Sequence, residues 1–341
     1  VKRICLLLAV AFAVVVTAAE ANVGLTEIAG KDGEGVVTVY YPSADDAKIG
    51  RRGPFTFEFA WQGAPARGNG RLIVMSHGSG GSPWVHANLA QTLVADGFVV
   101  AMPEHRGDNY KDPGTPGPES WKRRPVEVSR AIDVVSRDAR FGPLLALDKV
   151  GMYGMSAGGH TALTLAGGRW SPALFTRHCE SHIAEDFQTC VGLATRLRGG
   201  FLDGTKTTIA LWVIRSRFSD AAWQTHTDPR IAAIVAGVPL AADFDMASLA
   251  APHVPLALVT ARQDKWLIPR FHGDAVLAVC AACERLADFA TGGHGALLSP
   301  LPPGLSGLVG DLLNDPPGFD RAELPAVDRK ISGFFRKLLL P

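Results

Sequence analysis

The residues best suited to chemistry lie in Gly154-Met155-Ser156-Ala157-Gly158. This G-x-S-x-G run follows an apolar, strand-like stretch, Val150–Gly154, and precedes a helix-like stretch, Ala157–Ala166. A turn that admits only small residues beside its central serine lifts that hydroxyl clear of the backbone at the end of a sheet. The helix N-terminus next to it favours negative charge developing there. Without chemistry the same run would be a glycine-rich strand-to-helix turn. The strand before it and the helix after it favour Ser156 as a nucleophile.

A serine hydroxyl is a weak nucleophile and needs a base. The chain has ten histidines, so position must choose among them. His294 lies in Thr291-Gly292-Gly293-His294-Gly295, just after the last predicted strand and at the sheet edge where Ser156 emerges. Its small neighbours let an imidazole approach the serine. His77 and His160 are rivals, both read as structural or lining residues; His160 follows Ser156 by four positions and would point along the helix. The base in turn needs an orienting carboxylate. Asp264, in Arg262-Gln263-Asp264-Lys265 beyond the strand Pro255–Thr260, gives the chain order Ser, Asp, His. Asp243 and Asp245, after the preceding strand, are alternatives.

Acyl transfer builds a negative oxygen that needs preset donors. The Ala157 N–H, one residue after the nucleophile, is the first expected donor. The second is expected from Ser76-His77-Gly78-Ser79-Gly80-Gly81, which follows the strand Leu72–Ser76. The Ser79 N–H is favoured, with Gly78 or Gly80 behind it. Trp84, Tyr110 and Trp266 are candidate pocket-lining residues, although a buried tryptophan is more often core than pocket.

These groups require a scaffold. Further strands are expected at Val36–Tyr41, Phe55–Trp61, Phe98–Pro103, Ile231–Val238 and Arg285–Ala290, and further helices at Val85–Ala95, Pro125–Asp138, Arg270–Cys280 and Ala326–Leu339. Fully apolar strands such as Leu72-Ile73-Val74-Met75 point to a sheet buried on both faces. Their alternation with helices predicts an α/β domain with a mostly parallel sheet of about eight strands. The first two strands have no helix between them, so that edge is expected to be antiparallel. Pro125 suits the first turn of its helix. Gly107–Arg124 and Ser299–Pro325 are rich in proline and glycine and read as long connections. Residues 169–230 form an insertion between the nucleophile helix and the next strand, either a cap over the site or a structural excursion.

At this point the chain resembles the predicted dienelactone-hydrolase-like and platelet-activating-factor-acetylhydrolase-like families of exported α/β-hydrolases. The likeness is carried by Val39-Tyr40-Tyr41-Pro42, Ser76-His77-Gly78-Ser79-Gly80, Pro103-Glu104-His105-Arg106-Gly107 and Gly154-Met155-Ser156-Ala157-Gly158-Gly159, and covers most of residues 25–300. It implies the α/β-hydrolase fold and hydrolysis of a small-molecule ester or lactone through an acyl-serine, with no metal or cofactor. True dienelactone hydrolases use a cysteine nucleophile where this chain has Ser156, so dienelactone is not carried over as substrate. The acetylhydrolase relatives place the acid after an earlier strand, which keeps Asp243 in play. Lipase, polyester depolymerase and peptidase chemistry fit the same motifs, and a non-catalytic binding module is a further rival.

Composition sets the compartment and the partners. Lys2 and Arg3, the apolar run Ile4–Val16 and the small residues up to Ala21 predict a secretory leader over 1–21, with the mature chain from Asn22. A cut after Ala19 and an uncleaved anchor are alternatives. The apolar run is shorter than the roughly 20 residues a permanent span needs, and no further span is expected. Removing 1–21 takes two of the 34 basic and one of the 33 acidic residues, leaving 32 of each sign. That balance gives no electrostatic reason to expect nucleic acid or an anionic membrane as partner. The four remaining cysteines predict two disulfides, with Cys179–Cys190 and Cys280–Cys283 favoured among three connectivities. A redox site at Cys280-x-x-Cys283 lacks a thioredoxin-like setting, and a zinc site would need more ligands than the sequence offers nearby.

Overall fold

Leu72-Ile73-Val74-Met75 and Val99-Val100-Ala101-Met102 have no polar face, and every one of these residues is buried. Their alternation sends Leu72, Val74, Val99 and Ala101 into one apolar layer and Ile73, Met75, Val100 and Met102 into another. A sheet with two buried faces needs a cover on each. The computed structural model, which describes residues 22–31 and 33–341, supplies both. The leader expected over 1–21 lies outside the described residues.

The strands are β1 (Asn22–Ile28), β2 (Val37–Ser43), β3 (Lys48–Arg52), β4 (Phe55–Trp61), β5 (Leu72–Ser76), β6 (Val99–Pro103), β7 (Val150–Met155), β8 (Ile231–Gly237), β9 (Leu256–Ala261) and β10 (Glu284–Phe289). Among the described residues they form one ten-stranded sheet in the order β10-β9-β8-β7-β5-β6-β2-β1-β4-β3. Neighbours from β10 to β6 are parallel. Beyond β6 the pairing is mixed: β2 is antiparallel to β6 and β1, β1 is parallel to β4, and β4 is antiparallel to β3. The protein is therefore α/β with a mixed, mostly parallel sheet.

The helices are α1 (Ala87–Ala95), α2 (Pro118–Arg137), α3 (Ala157–Leu165), α4 (Pro172–His182), α5 (Phe187–Val191), α6 (Asp203–Arg217), α7 (Gly273–Val279), α8 (Gly307–Leu313) and α9 (Leu324–Leu339). Residues of α2, α3 and α7 join the first apolar layer, those of α1 and α9 the second. The insertion contributes α4, α5 and α6. Its Trp170, Phe175, Ile214 and Phe218 extend the first layer. The Cys179–Cys190 bridge closes its first part, and Cys280–Cys283 closes the end of α7. Buried Asp186 accepts hydrogen bonds from His178 (2.8 Å) and Thr189 (2.8 Å) and pairs with His272 (3.3 Å) of the main body. Burial alone would raise its carboxyl; the two imidazoles and the hydroxyl hold it well below the usual range.

Four expectations change. The sheet has ten strands rather than about eight, because β1 and β3 add to the mixed end. That end is not simply antiparallel, since β1 inserts between β2 and β4. α2 starts at Pro118, so Pro125 lies inside the helix rather than in its first turn, and buried Trp121 and Arg124 extend it backwards. The Ser299–Pro325 connection contains α8.

No helix among the described residues is long and apolar enough to cross a membrane. One buried acid gives the fold a pH dependence. Burial, only partly offset by Arg329, raises the Asp328 carboxyl on α9 from an ordinary 3.8 to about 7. Between those values the folded chain holds a proton that the unfolded chain has released, so stability falls as pH rises through that window. Asp328→Asn, which cannot ionise, is expected to melt above the parent at pH 8, by on the order of 2 kcal/mol, with the gap closing by pH 4. Thermal melts at the two pH values check this.

Candidate active site

Ser156 joins β7 to α3 with φ 58° and ψ −117°, a backbone conformation rare for a side chain with a Cβ. Its N–H donates to the Gly237 carbonyl (3.0 Å), and its own carbonyl accepts from the amides of His160 (3.0 Å) and Leu240 (3.1 Å). Neighbouring strands and loops thus over-determine the strained residue. The flanking glycines are steric necessities. A Cβ on Gly154 would stand 1.9 Å from the Gly158 carbonyl oxygen, and one on Gly158 would stand 1.9 Å from that of Ser76. Only bare backbone lets α3 pack this closely on β5 and β7.

Three connections beyond strand carboxyl ends bring distant residues to this turn. His294 follows β10, and its Nε2 lies 3.0 Å from Ser156 Oγ. Asp264 follows β9, and its Oδ2 lies 2.7 Å from His294 Nδ1. A carboxylate only accepts, so Nδ1 carries the ring proton and Nε2 presents its lone pair to the serine hydroxyl. The other carboxylate oxygen, Oδ1, accepts from the Trp266 and Leu267 amides, both at 2.8 Å. Those bonds fix the acid before it meets the imidazole. Both His294 and Asp264 are buried.

The loop after β5 lies against the serine: a Cβ on Gly78 would sit 3.4 Å from Ser156 Cβ and 3.8 Å from Oγ. The Gly81 amide bonds the Gly78 carbonyl, and the Gly80 amide bonds Asp108 Oδ1, both at 3.0 Å. That engagement removes Gly80 as an oxyanion donor. Ala157 is the first residue of α3, so its N–H has no acceptor within the helix. Ser79 and Ala157 both line the pocket in front of Ser156.

The loop is clamped from behind by a buried ion pair that sequence reasoning missed. Arg124 Nη2 lies 2.8 Å from Asp108 Oδ2, with both side chains almost fully enclosed. Arg124 also donates to the His77 carbonyl (2.5 Å), and Asp108 accepts from the hydroxyls of Ser79 (2.6 Å) and Ser120 (2.8 Å). Burial alone would raise the Asp108 carboxyl; the Arg124 guanidinium and these donors outweigh it and hold it below its usual value. Both residues fell in a segment that reads as a loop, and only the charge among small residues marked them.

The rivals have other partners. His160 faces Asp243 (3.1 Å), and both are fully buried. Asp245 pairs with Arg169 and accepts from the Ala247 amide. His77 Nδ1 donates to the Gly78 carbonyl (2.7 Å). A second serine–imidazole–carboxylate set, Ser76–His105–Glu127, has comparable distances of 2.7 and 2.6 Å. Its serine and imidazole are wholly enclosed, so no substrate can reach them. Burial and the nearby Arg124 push the His105 imidazole well below its ordinary value, so it stays neutral.

Of the three proposed lining residues, only Trp266 lines the pocket, with its ring 5.1 Å from that of His294. Trp84 is buried in the opposite apolar layer with α1, where the Pro83 turn directs it. Tyr110 is half-exposed under the Lys111 ammonium and is not a pocket residue. The pocket holds about 500 Å³, within the range of small-molecule sites. Its walls include Trp121, Phe175, Ile214, Phe218, Leu240 and Leu267, so the insertion supplies much of the apolar surface. A serine beside an imidazole lone pair, with two amides at hand and an apolar chamber in front, can attack an acyl carbon and hold the resulting oxyanion.

No protein-family model matches the chain, and no curated protein matches it.

Removing one member of the Arg124–Asp108 pair leaves an uncompensated buried charge. Arg124→Met is therefore expected to lower unfolding stability by about 3–5 kcal/mol. Urea denaturation followed by circular dichroism measures it; a loss under 1 kcal/mol would show that the clamp is not structural.

Proposed function

We propose that this protein is an exported serine hydrolase of the α/β-hydrolase fold that cleaves carboxylic esters or lactones through an acyl-serine. The observation that carries the reading is the continuous chain Ser156 Oγ–His294–Asp264 at 3.0 and 2.7 Å, opening on an apolar pocket. The order Ser, Asp, His and the parallel strands that present these residues support the fold assignment. The likeness to dienelactone-hydrolase-like and acetylhydrolase-like families points the same way. Two disulfides support export.

In the proposed reaction His294 Nε2 takes the proton of Ser156 as Oγ attacks the ester carbonyl carbon. Asp264 orients the ring and stabilises the imidazolium. The Ser79 and Ala157 amides hold the oxyanion. The tetrahedral adduct collapses, the C–O bond to the leaving alcohol breaks, and His294 returns the proton to that alcohol. Water, deprotonated by the same imidazole, then attacks the acyl-serine, the acyl C–Oγ bond breaks as His294 gives that proton to Ser156 Oγ, and the acid leaves. The apolar walls favour an apolar acyl or aryl group over a charged one.

A fluorophosphonate should label Ser156, and labelling should vanish in Ser156→Ala. On p-nitrophenyl esters, Ser156→Ala and His294→Ala are expected to lower kcat by three or more orders of magnitude. Asp264→Asn should lose somewhat less, and Asp243→Asn should stay within a few-fold of the parent. A crippled Asp243→Asn beside a healthy Asp264→Asn would reassign the acid. Absence of labelling and of turnover on every ester would leave a non-catalytic module.

A further inference from the structure

Among the described residues eleven large hydrophobic side chains are exposed, and six of them fall between residues 193 and 213: Leu193, Phe201, Leu202, Ile209, Trp212 and Val213. Phe201 is 93% exposed and Trp212 71%. The exposed aromatics elsewhere are shielded by a cation: Arg52 lies over Trp61, Lys111 over Tyr110 and Arg169 over Trp223. Neither Phe201 nor Trp212 has such a cation or a ring partner among the described residues.

The α6 sequence explains the exposure. Ile209-Ala210-Leu211-Trp212-Val213-Ile214 is apolar on all sides of the helix. A helix of that kind is normally enclosed. Here Ile214 is buried in the core while Ile209, Trp212 and Val213 face outward. Ile209 and Val213 also line the pocket in front of Ser156, so the outer patch and the pocket are continuous. A clustered apolar patch at a pocket mouth marks an interaction surface rather than scattered surface hydrophobicity.

Charge selects the partner. Residues 193–217 carry five cations, Arg196, Arg198, Lys206, Arg215 and Arg217, against one carboxylate, Asp203. Arg196 pairs with Asp311, Lys206 with Asp203 and Arg215 with Glu180. Arg198 and Arg217 have no carboxylate at ion-pairing distance among the described residues, and Arg217 donates to the Pro116 carbonyl. Tryptophan and phenylalanine exposed beside arginine and lysine on one surface segment are residue types that bind at a lipid headgroup layer, the rings entering the interface and the cations meeting anionic lipid. With Asp311, Asp203 and Glu180 counted, the local excess of positive charge is carried by Arg198 and Arg217.

We propose that the outer face of residues 193–217 docks on an anionic lipid surface, with the mouth of the Ser156 pocket held at the membrane–water boundary. Docking is a binding property and stands apart from the reaction proposed at Ser156, so the two can fail separately.

Co-sedimentation of the mature chain with lipid vesicles tests it. Binding to phosphatidylglycerol-containing vesicles is expected to be at least tenfold tighter than to pure phosphatidylcholine, and to weaken as salt screens the attraction. The double variant Phe201→Ser/Trp212→Ser should lose at least tenfold in vesicle affinity, and Arg198→Glu severalfold. These three side chains lie outside the pocket, so turnover of a short soluble ester should be unchanged and would report an intact fold. Ser156→Ala should bind vesicles like the parent. The proposal is overturned if the parent ignores both vesicle types, binds them equally, or binds no better than the double variant. It is also overturned if the parent is a dimer that the double variant splits while neither binds lipid, since the patch would then belong to a second copy. Loss of ester turnover in every form, with lipid binding intact, would sink the hydrolase reading and leave docking standing.

Discussion

A left-handed backbone at one residue with a Cβ organises the site. Ser156 holds φ 58° because β8, α3 and the segment after β8 each take one of its backbone hydrogen bonds. The conformation costs about 1–3 kcal/mol wherever it occurs and persists only where the surroundings over-determine it. That constraint explains why Gly154 and Gly158 must lack side chains. It also explains why β5, β7 and β8 lie side by side: the sheet must present three adjacent strand ends to one turn. His294, Asp264 and the loop after β5 all converge on that turn.

The remaining polar groups are held by bonds that leave little choice of geometry. Asp264 spends one oxygen on two backbone amides before the other meets His294. Asp108 and Arg124 bond the loop from Ser76 to Gly81 at a hydroxyl, an amide and a carbonyl. In an enclosed setting such bonds are electrostatically stronger than in water, and an unsatisfied member is more costly. The contrast with Ser76–His105–Glu127 is instructive. The residue types and distances are similar, yet that set braces the interior, since its serine and imidazole are fully buried.

Much of this was legible in the sequence because the signals are local. Short apolar, β-prone runs marked eight strands, and the G-x-S-x-G run between strand and helix located the turn. His294 and Asp264 were found by position, since residues after parallel strands converge on one edge. β1 and β3 left weaker traces. β3 is a short, charged edge strand, Lys48–Arg52, paired on one side only, where lysine and arginine guard against further pairing. The pairing of His160 with Asp243 could not be read from spacing, because 83 residues separate them. The Arg124–Asp108 clamp was hidden for a related reason: a buried ion pair in a polar segment looks like solvated loop until its neighbours are known. Trp84 shows the converse, since an aromatic after a glycine-rich loop can turn to either side of the sheet.

Trp266 touches several parts of the molecule at once. Its amide bonds Asp264, its ring lies against His294, and its carbonyl lies 2.7 Å from the hydroxyl of Thr189 in the insertion, whose single proton it shares with Asp186. Thr189 neighbours Cys190, whose disulfide closes that part of the insertion. One peptide unit therefore couples the helices of the insertion to the hydrogen-bonded chain Ser156–His294–Asp264. Displacing the insertion at that edge strains a contact whose next neighbours are Asp264 and His294, so the position of those helices and the alignment of Ser156, His294 and Asp264 are mechanically one variable.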